Sequence, residues 1–432
     1  MSSGASTLIR ANNGHVETTI FANVPVTHTL FSSVVRRYTN YAIVVAELEK
    51  VGHLGQHSTS EQKWNPSNFG DVCGSLRLFL GLPGIASTNS ASGRGNDAYW
   101  CQSVGYAIIK EAKMYVGNQV MMRANHRNLY DAYQLTCPDA EAPLDVNIGR
   151  YQCESQLKQA SAGNQILGVY LGFSNLRPKR PDRAWKIVSL WQVPTEIGVT
   201  LHPLINVIVN VGALTTVPYL KGTSTTMASS DVSVRMYGTF FILDDQEREH
   251  LASEPMVHEI IQNMTFEYTS TEAAGTQLTL NPVFNHACRI IKTGFIPTAY
   301  TDGSTYSPCG VGLKNYFDYC GSHGGESLYA LDLKLNSQST INPDLPPIEQ
   351  RHHMWTTVYG KKPYGMLYVF PFSMRLDWDD LNHSTNLTGF DKLSLVCKKN
   401  SGDSGTYFAE AEVVNVLLTK KGQGGVPFGG GA

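Results

Sequence analysis

Residues 232–255 read VSVRMYGTFFILDDQEREHLASEP and join a strand pattern directly to a helix pattern. The segment Val232–Leu243 begins with alternating apolar and polar side chains and is rich in β-branched and aromatic types, which predicts a β-strand. Asp244 and Glu247 then have the spacing of a helix capping box, and Pro255 ends the helix pattern because the residue before a proline avoids the α conformation. A strand, a short polar helix and a proline, a little past the middle of the chain, predict a domain boundary.

Short strand patterns recur on both sides of this boundary, each bounded by Gly, Pro, Asn or Asp. Helical patterns are confined to the segment after Leu243, which ends near Ser253, and to Asn125–Gln134. Because a single β-sandwich rarely exceeds roughly 250 residues, a chain of 432 residues has room for two sandwiches or barrels. The further predicted strands are Tyr41–Leu48, Ser75–Leu82, Ala107–Val116, Ile166–Phe173, Trp185–Trp191, Leu204–Val211, Glu259–Tyr268, Gln277–Leu280, Arg289–Phe295, Leu328–Leu335, Met366–Phe372, Lys392–Cys397 and Glu410–Leu418.

The predicted organisation has five parts. They are an N-terminal arm at residues 1–26, a first sandwich at 27–246, a linker at 247–255, a second sandwich at 256–421 and a flexible Gly-rich tail at 422–432. Long loops usually carry contacts or function, and several interrupt the strands. The predicted loops are His53–Phe69, Gly84–Asn96, the basic Leu176–Arg183, Ala299–Gly325 and Ser337–His353.

Composition excludes some classes of protein. The net charge of −2 argues against a nucleic-acid binder, which normally shows a basic excess. Charged residues make up only 16% of the chain, and charge depletion is typical of surfaces covered by neighbouring proteins. The N-terminus has no apolar h-region, so we expect no secretory signal. None of the eight cysteines forms a C-x-x-C pair, which favours reduced thiols over a disulfide framework.

A search for reactive motifs finds no nucleophile elbow, phosphate-binding loop or H-E-x-x-H zinc motif. The densest histidine cluster is Arg351-His352-His353, and His286-Ala287-Cys288 offers only two ligands where structural zinc takes four. We therefore predict no catalytic residue, no cofactor site and no metal site. Asn382 and Asn386 are candidate glycosylation sites because each begins an N-x-[ST] sequon.

Several motifs, in collinear order, carry a family resemblance. Residues 30–48 read LFSSVVRRYTNYAIVVAEL, with Arg36, Arg37, Tyr38, Thr39 and Asn40 as the specific core. This stretch resembles the N-terminal signature of double jelly-roll major capsid proteins of nucleocytoplasmic large DNA viruses, especially chloroviruses and iridoviruses. The other matching segments are 68–71, 109–121, 129–132, 203–205, 241–248, 285–286 and 368–373. Residues 384–391 depart from the family's usual pattern.

The resemblance implies an all-β fold of two tandem eight-stranded jelly-roll β-sandwiches with a few short helices in loops. It implies a structural protein of the virion that forms pseudo-hexagonal homotrimers, tiles an icosahedral shell and is assembled in the host cytoplasm. Expected partners are further copies of the chain, minor capsid, cement and penton proteins, and an internal membrane reached through other proteins, with no sequence-specific nucleic acid and no cofactor.

Two groups of residues take expected roles from this resemblance. Residues 36–40 form an assembly or structural motif, and the interdomain junction consists of Asp244, Gln246, Glu247 and Arg248. Two other functions stay open. A minor capsid paralogue of the same fold differs in its copy number in the particle, and a jelly-roll carbohydrate-binding protein predicts glycan affinity in the monomer.

Overall fold

The structure, a computed structural model, describes residues 39–51, 55–87, 98–136, 145–173, 184–211, 216–321, 324–341, 344–359, 366–373, 384–400 and 402–426. Its first thirteen strands form what we call the first sandwich. They are β1 Tyr41–Glu47, β2 Glu49–Val51, β3 Gln62–Asn65, β4 Val72–Leu82, β5 Ile85–Ala86, β6 Ala98–Trp100, β7 Ile109–Val116, β8 Gln119–Asn125, β9 Gln165–Tyr170, β10 Thr195–Leu201, β11 Ile208–Asn210, β12 Tyr219–Leu220 and β13 Ser233–Leu243.

Nine of these strands form two antiparallel sheets, in the orders β1-β13-β4-β9 and β2-β3-β10-β7-β8, while β5 pairs with β12 and β6 with β11 in two-stranded sheets. Alternation along the strands explains their packing. Leu76, Leu78 and Leu80 of β4 point to one face and are fully buried, against a core that includes Met114 of β7 and Ile197 of β10. This apolar interior is the main stabilising feature of the first half.

The remaining strands form the second sandwich. They are β14 Met256–Ser270, β15 Gln277–Leu280, β16 Ala287–Pro297, β17 Leu328–Leu335, β18 Gln338–Ser339, β19 Tyr368–Pro371, β20 Thr385–Asn386, β21 Leu393–Lys399, β22 Gly405–Lys420 and β23 Gln423–Gly425. Its sheets have the orders β14-β22-β16-β19 and β15-β21-β17-β18. A separate core lies between them, built from residues such as Ile291, Leu333 and Leu395.

Helices connect the strands. They are α1 Val104–Ala107, α2 His126–Thr136, α3 Glu154–Ser161, α4 Leu204–Val207, α5 Asp245–Ser253, α6 Thr298–Asp302 and α7 Pro347–Tyr359, with 3-10 turns at Ile187–Leu190, Ser229–Asp231 and Leu387–Gly389. Among these described helices, none combines the length and the apolar character needed to cross a bilayer.

Two main sheets in each sandwich, with short helices in the connections, confirm the predicted all-β fold. The strands at Gln277–Leu280 and Leu328–Leu335 have the predicted bounds, and the helix after Leu243 ends at Ser253 as expected. It begins where the capping residue predicts, since the Asp244 carboxylate accepts a hydrogen bond from the Asp245 amide at 2.8 Å.

Two predicted strands are wrong. Within Trp185–Trp191 the structure has a buried 3-10 turn, and within Leu204–Val211 it has the helical turn α4 followed only then by β11. Both are short apolar runs, whose periodicity does not distinguish a buried strand from a buried helical turn. Pro203 sets the backbone for the start of α4, as proline does ahead of a first helical turn.

Several predicted loops, and the predicted tail, contain regular structure, including β5 in the loop Gly84–Asn96 and most of α6 in the loop Ala299–Gly325. The loop His53–Phe69 includes β3, and the loop Ser337–His353 includes the start of α7, which opens on Pro347 with Glu349 in its first turn. The tail predicted at 422–432 is a strand at Gln423–Gly425, because Lys421 and Gly422 both have positive φ and reverse the chain into a hairpin with β22. Residues 427–432, and the arm 1–26, lie outside the described residues.

The sheet β14-β22-β16-β19 is covered on both faces. Tyr407, Ala409 and Ala411 of β22 point into the core of the second sandwich, whereas Ile260 and Leu417 of this sheet belong to the core of the first. A side-chain hydrogen bond crosses the same boundary, since Gln262 Nε2 donates to the Met121 backbone carbonyl at 2.7 Å. Contacts of this extent place residues 41–432 in one compact unit.

Candidate functional site

A buried ionic cluster lies where α2 of the first sandwich meets β16 and β22 of the second. Arg127 Nε contacts Glu410 Oε1 at 3.1 Å, with side chains only 6% and 1% exposed. Asn125 Nδ2 donates to the same oxygen at 3.1 Å, and Arg127 also pairs with Glu267. Because Arg127 and Glu410 are distant in sequence, this pair ties the two halves of the chain together.

Strand alternation explains why the carboxylates are there. Glu410 and Glu412 alternate with Ala409 and Ala411 along β22, so both carboxylates point away from the core of the second sandwich and toward the first. Glu412 is neutralised by Lys292 of β16, with Nζ and Oε1 2.7 Å apart. Burial alone would lower the pKa of Lys292, but Glu412 and the other carboxylates nearby hold it above its usual value.

Asp131 of α2 is the member of the cluster whose hydrogen-bonding groups are not satisfied within the described part of the chain. Its side chain is buried, and neither carboxylate oxygen has a hydrogen-bond partner among the described residues. Burial raises the pKa of Asp131 to about 7, although the Lys292 cation acts in the opposite direction. Three buried carboxylates, with the more exposed Glu267, therefore face the two cations, and a proton on Asp131 reduces this excess of negative charge.

The loop at residues 303–321, within the predicted loop Ala299–Gly325, forms a second connection between the sandwiches. The Lys314 ammonium donates to the carbonyls of Ile205 and Ile208 at 2.6 and 2.8 Å, at the end of α4. The Phe317 ring stacks on Tyr130 with centroids 4.0 Å apart. We call residues 303–321 the docking loop, because its side chains fill positions in the first sandwich.

The predicted junction residues surround the start of α5. Gln246 and Glu247 lie in its first turn, after the capping residue Asp244. Arg248 contacts Asp71, with its Nε and Nη2 atoms 2.9 and 3.1 Å from the two carboxylate oxygens. The Gly-Asp motif before β4 and the junction after β13 are far apart in the sequence. The structure brings them into contact.

The predicted assembly motif is only partly described. Arg36, Arg37 and Tyr38 lie outside the described residues, and Thr39 and Asn40 are exposed residues just before β1. Within the part of the chain that the structure describes, β1 is an edge strand whose one neighbour is β13. Its side chains Tyr41, Ile43 and Val45 share one face of the strand and are 60%, 58% and 68% exposed. An apolar strand edge of this kind is a ready surface for another protein chain.

Other sequence candidates are scattered. His352 and His353 lie exposed on α7, and the neighbouring Arg351 instead pairs with Glu326 at 2.6 Å. Asn386 is exposed, and its side-chain oxygen accepts a hydrogen bond from the Thr388 amide at 3.1 Å. Asn382 and the basic residues 177–183 lie outside the described ranges.

Comparison of the sequence with models of protein families identifies the family of this chain. Residues 29–244, half of the chain, match the family model described as the N-terminus of the major capsid protein. The chain belongs to the major capsid protein family. A search of curated protein sequences finds no match for it.

Solved structures of capsid proteins share the fold of this capsid protein. A chain of the PBCV-1 virus capsid is 15% identical, with a TM-score of 0.72 over 93% of the present chain and 100% of that chain. The Faustovirus major capsid protein is 11% identical, with a TM-score of 0.66 over 96% of both chains. The mavirus major capsid protein is 10% identical, with a TM-score of 0.51 over 94% of both.

These comparisons confirm the resemblance and the double jelly-roll fold predicted from the collinear motifs. As a major capsid protein, the chain is a structural component of the virion. The buried ionic cluster was missed at the level of sequence. A signal was present, because Glu410 and Glu412 interrupt an apolar strand at the same face, and paired buried carboxylates require a cationic partner.

Proposed function

We propose that this capsid protein forms homotrimers that tile the icosahedral shell of a large double-stranded DNA virus. Each chain supplies two lobes, at 27–246 and 256–421, joined by the segment 247–255 that contains most of α5. Three chains around a threefold axis present six lobes, which gives a pseudo-hexagonal outline. A threefold contact is heterologous, so one face of each chain meets a different face of the next.

The observation that carries this proposal is the exposed apolar edge of β1. Among the described residues, β1 has no strand partner on one side, and its side chains Tyr41, Ile43 and Val45 are exposed. Open apolar edges favour association, and soluble monomers normally protect them with charge or a covering segment. In a shell built from many copies of one protein, the partner available to this edge is a second copy of the chain.

The proposed role as a shell protein implies further partners and properties. We infer contacts with neighbouring capsomers, with minor capsid, cement and penton proteins, and with an internal membrane only through other proteins. We also infer assembly in the host cytoplasm, no enzymatic activity and no sequence-specific binding of nucleic acid. Thr39 and Asn40, with residues 36–38, are proposed to lie at a subunit contact, since they lead directly into β1.

Native mass spectrometry of the purified full chain tests the proposal. We expect a stable species of three chains, and electron microscopy of that species should show a six-lobed outline. A stable monomer would contradict the trimer. Glycan binding by that monomer, on a sugar array, would favour the carbohydrate-binding function, and a low copy number per particle would favour a minor capsid role.

A further inference from the structure

Two cysteines and an aspartate meet in the docking loop. The Sγ atoms of Cys309 and Cys320 and a carboxylate oxygen of Asp318 all lie within 4.8 Å of one another. Asp318 and Cys320 are buried, whereas Cys309 is exposed at the end of the group. The three side chains converge although they come from opposite ends of the same irregular segment.

The surroundings orient these groups. Ser307 donates a hydrogen bond to Asp318 Oδ2, and the Cys320 amide donates to Asp318 Oδ1 at 3.2 Å. Gly310 leaves space beside the carboxylate, because a Cβ at that position would lie 3.0 Å from Asp318 Oδ2. Hydrogen bonds to ligating carboxylates are a common feature of metal sites, since they fix the direction of the ligand.

The chemistry of the three side chains suits a divalent cation. A coordinated thiol loses its proton outright, so Cys309 and Cys320 would bind as thiolates beside the Asp318 carboxylate.

The group also opens onto solvent. Cys309 and Asp318 line a cavity of about 700 Å³ between the docking loop and the first sandwich, together with Gln102, Tyr130 and Arg150. A metal ion held by the three side chains would thus have one side facing this cavity. Two thiolates and a carboxylate are ligands that Zn²⁺ accepts, and zinc is normally four-coordinate.

We propose that Cys309, Asp318 and Cys320 bind one Zn²⁺ ion, with water from the cavity as the fourth ligand. Binding displaces the thiol protons of Cys309 and Cys320 into solvent, and no oxidation is involved. The ion links residues 309 and 320, which flank the residues Lys314 and Phe317 that contact the first sandwich. Zinc therefore stabilises the connection between the two sandwiches.

The test uses the full chain, purified under reducing conditions, stripped with a chelator and titrated with Zn²⁺ in a calorimeter. We expect one Zn²⁺ per chain, and Co²⁺ substitution should give a thiolate-to-metal absorption band. Cys309→Ser, at an exposed position, and Asp318→Asn should each weaken binding by at least about tenfold. Cys153→Ser is the matched control, because Cys153 is also an exposed thiol and should leave the affinity unchanged.

Several results would overturn the site. They are no binding by the reduced chain, binding that survives in the Cys309→Ser/Cys320→Ser double variant, and an equal loss of binding in Cys153→Ser. A Cys309–Cys320 disulfide in protein purified from virions, seen by peptide mapping without reductant, would also replace the metal. None of these outcomes affects the native mass, so failure of the zinc site and failure of the trimer are separate results.

Discussion

At the scale of single residues, the molecule depends on how a few buried charges are matched. Among the ion pairs of the described residues, Arg127 is the cation that contacts Glu410, and both side chains are nearly inaccessible. Removing one partner of a buried pair is costly because the other charge remains without water or a counter-ion. A surface pair loses little, since water replaces the missing partner.

We therefore expect Arg127→Ala to destabilise the chain by about 3–5 kcal/mol. The matched control is Arg123→Ala, because Arg123 pairs with Glu111 at 2.8 Å while its side chain is 44% exposed. The control should cost less than about 1 kcal/mol. Urea denaturation curves give the free energy of unfolding of both variants. Equal decreases would show that the buried pair contributes no more to stability than the exposed one.

Asp131 predicts a dependence of stability on pH. In the folded chain its pKa is about 7, above its ordinary value of 3.8, so the folded state keeps a proton that the unfolded state releases. The free energy of unfolding should therefore fall as pH rises from about 4 to about 7. Asp131→Asn removes this fall and should stabilise the chain above pH 7 by about 1–3 kcal/mol, because the buried side chain then carries no charge.

Thermal unfolding of this variant between pH 5 and pH 8 provides the measurement. The exposed Asp391 supplies the control, and Asp391→Asn should leave the pH dependence of the wild-type chain intact. If Asp131→Asn lowers the melting temperature at pH 8, Asp131 is ionised and paired with Lys292, and the expectation is wrong.

At the scale of elements, the hairpin of β22 and β23 shows how one turn holds two sandwiches together. Gly422 has φ of 81°, and a Cβ there would lie 2.7 Å from atoms of the Trp191 ring. Its carbonyl accepts a hydrogen bond from the Gln192 amide at 3.0 Å. The turn of the second sandwich therefore rests on the segment after the 3-10 turn of the first.

We expect Gly422→Ala to lower stability by about 1–3 kcal/mol, since it adds steric overlap to backbone strain. Gly222→Ala separates the two causes. Gly222 has a similar φ of 79°, but a Cβ there meets nothing within 4 Å, so only strain remains. Differential scanning calorimetry should show a clearly larger loss for Gly422→Ala. Equal losses would mean that contact with Trp191 is unimportant.

At the scale of the whole molecule, assembly is expected to depend on the β1 edge. Ile43→Glu places a charge in the centre of the exposed apolar face and should convert trimers to monomers without unfolding the chain. Ile166→Glu is the matched control, because Ile166 is 78% exposed on β9, the opposite edge of the same sheet.

Sedimentation velocity measures the oligomeric state of both variants, and circular dichroism verifies their folding. A trimer that persists in Ile43→Glu would remove β1 from the subunit contact. Dissociation of the Ile166→Glu variant alone would move the contact to the other edge of the sheet.

Much of the architecture follows from the sequence by itself. Strand alternation at Val232–Leu243, the capping residue Asp244 and Pro255 are local signals, and the structure has a strand and a helix there. The collinear motifs also identified the family without any coordinates. These features are predictable because they depend on neighbours within a few residues, where backbone preferences and side-chain periodicity act.

Tertiary structure alone decided the rest. Whether Ile187–Leu190 is a strand or a 3-10 turn depends on what covers it, and apolar composition is the same in both cases. The pairing of Arg127 with Glu410, and the convergence of Cys309 with Asp318 and Cys320, bring together residues whose separation carries no periodic signal. The physical reason is that burial and charge pairing are set by long-range packing, which only the folded chain specifies.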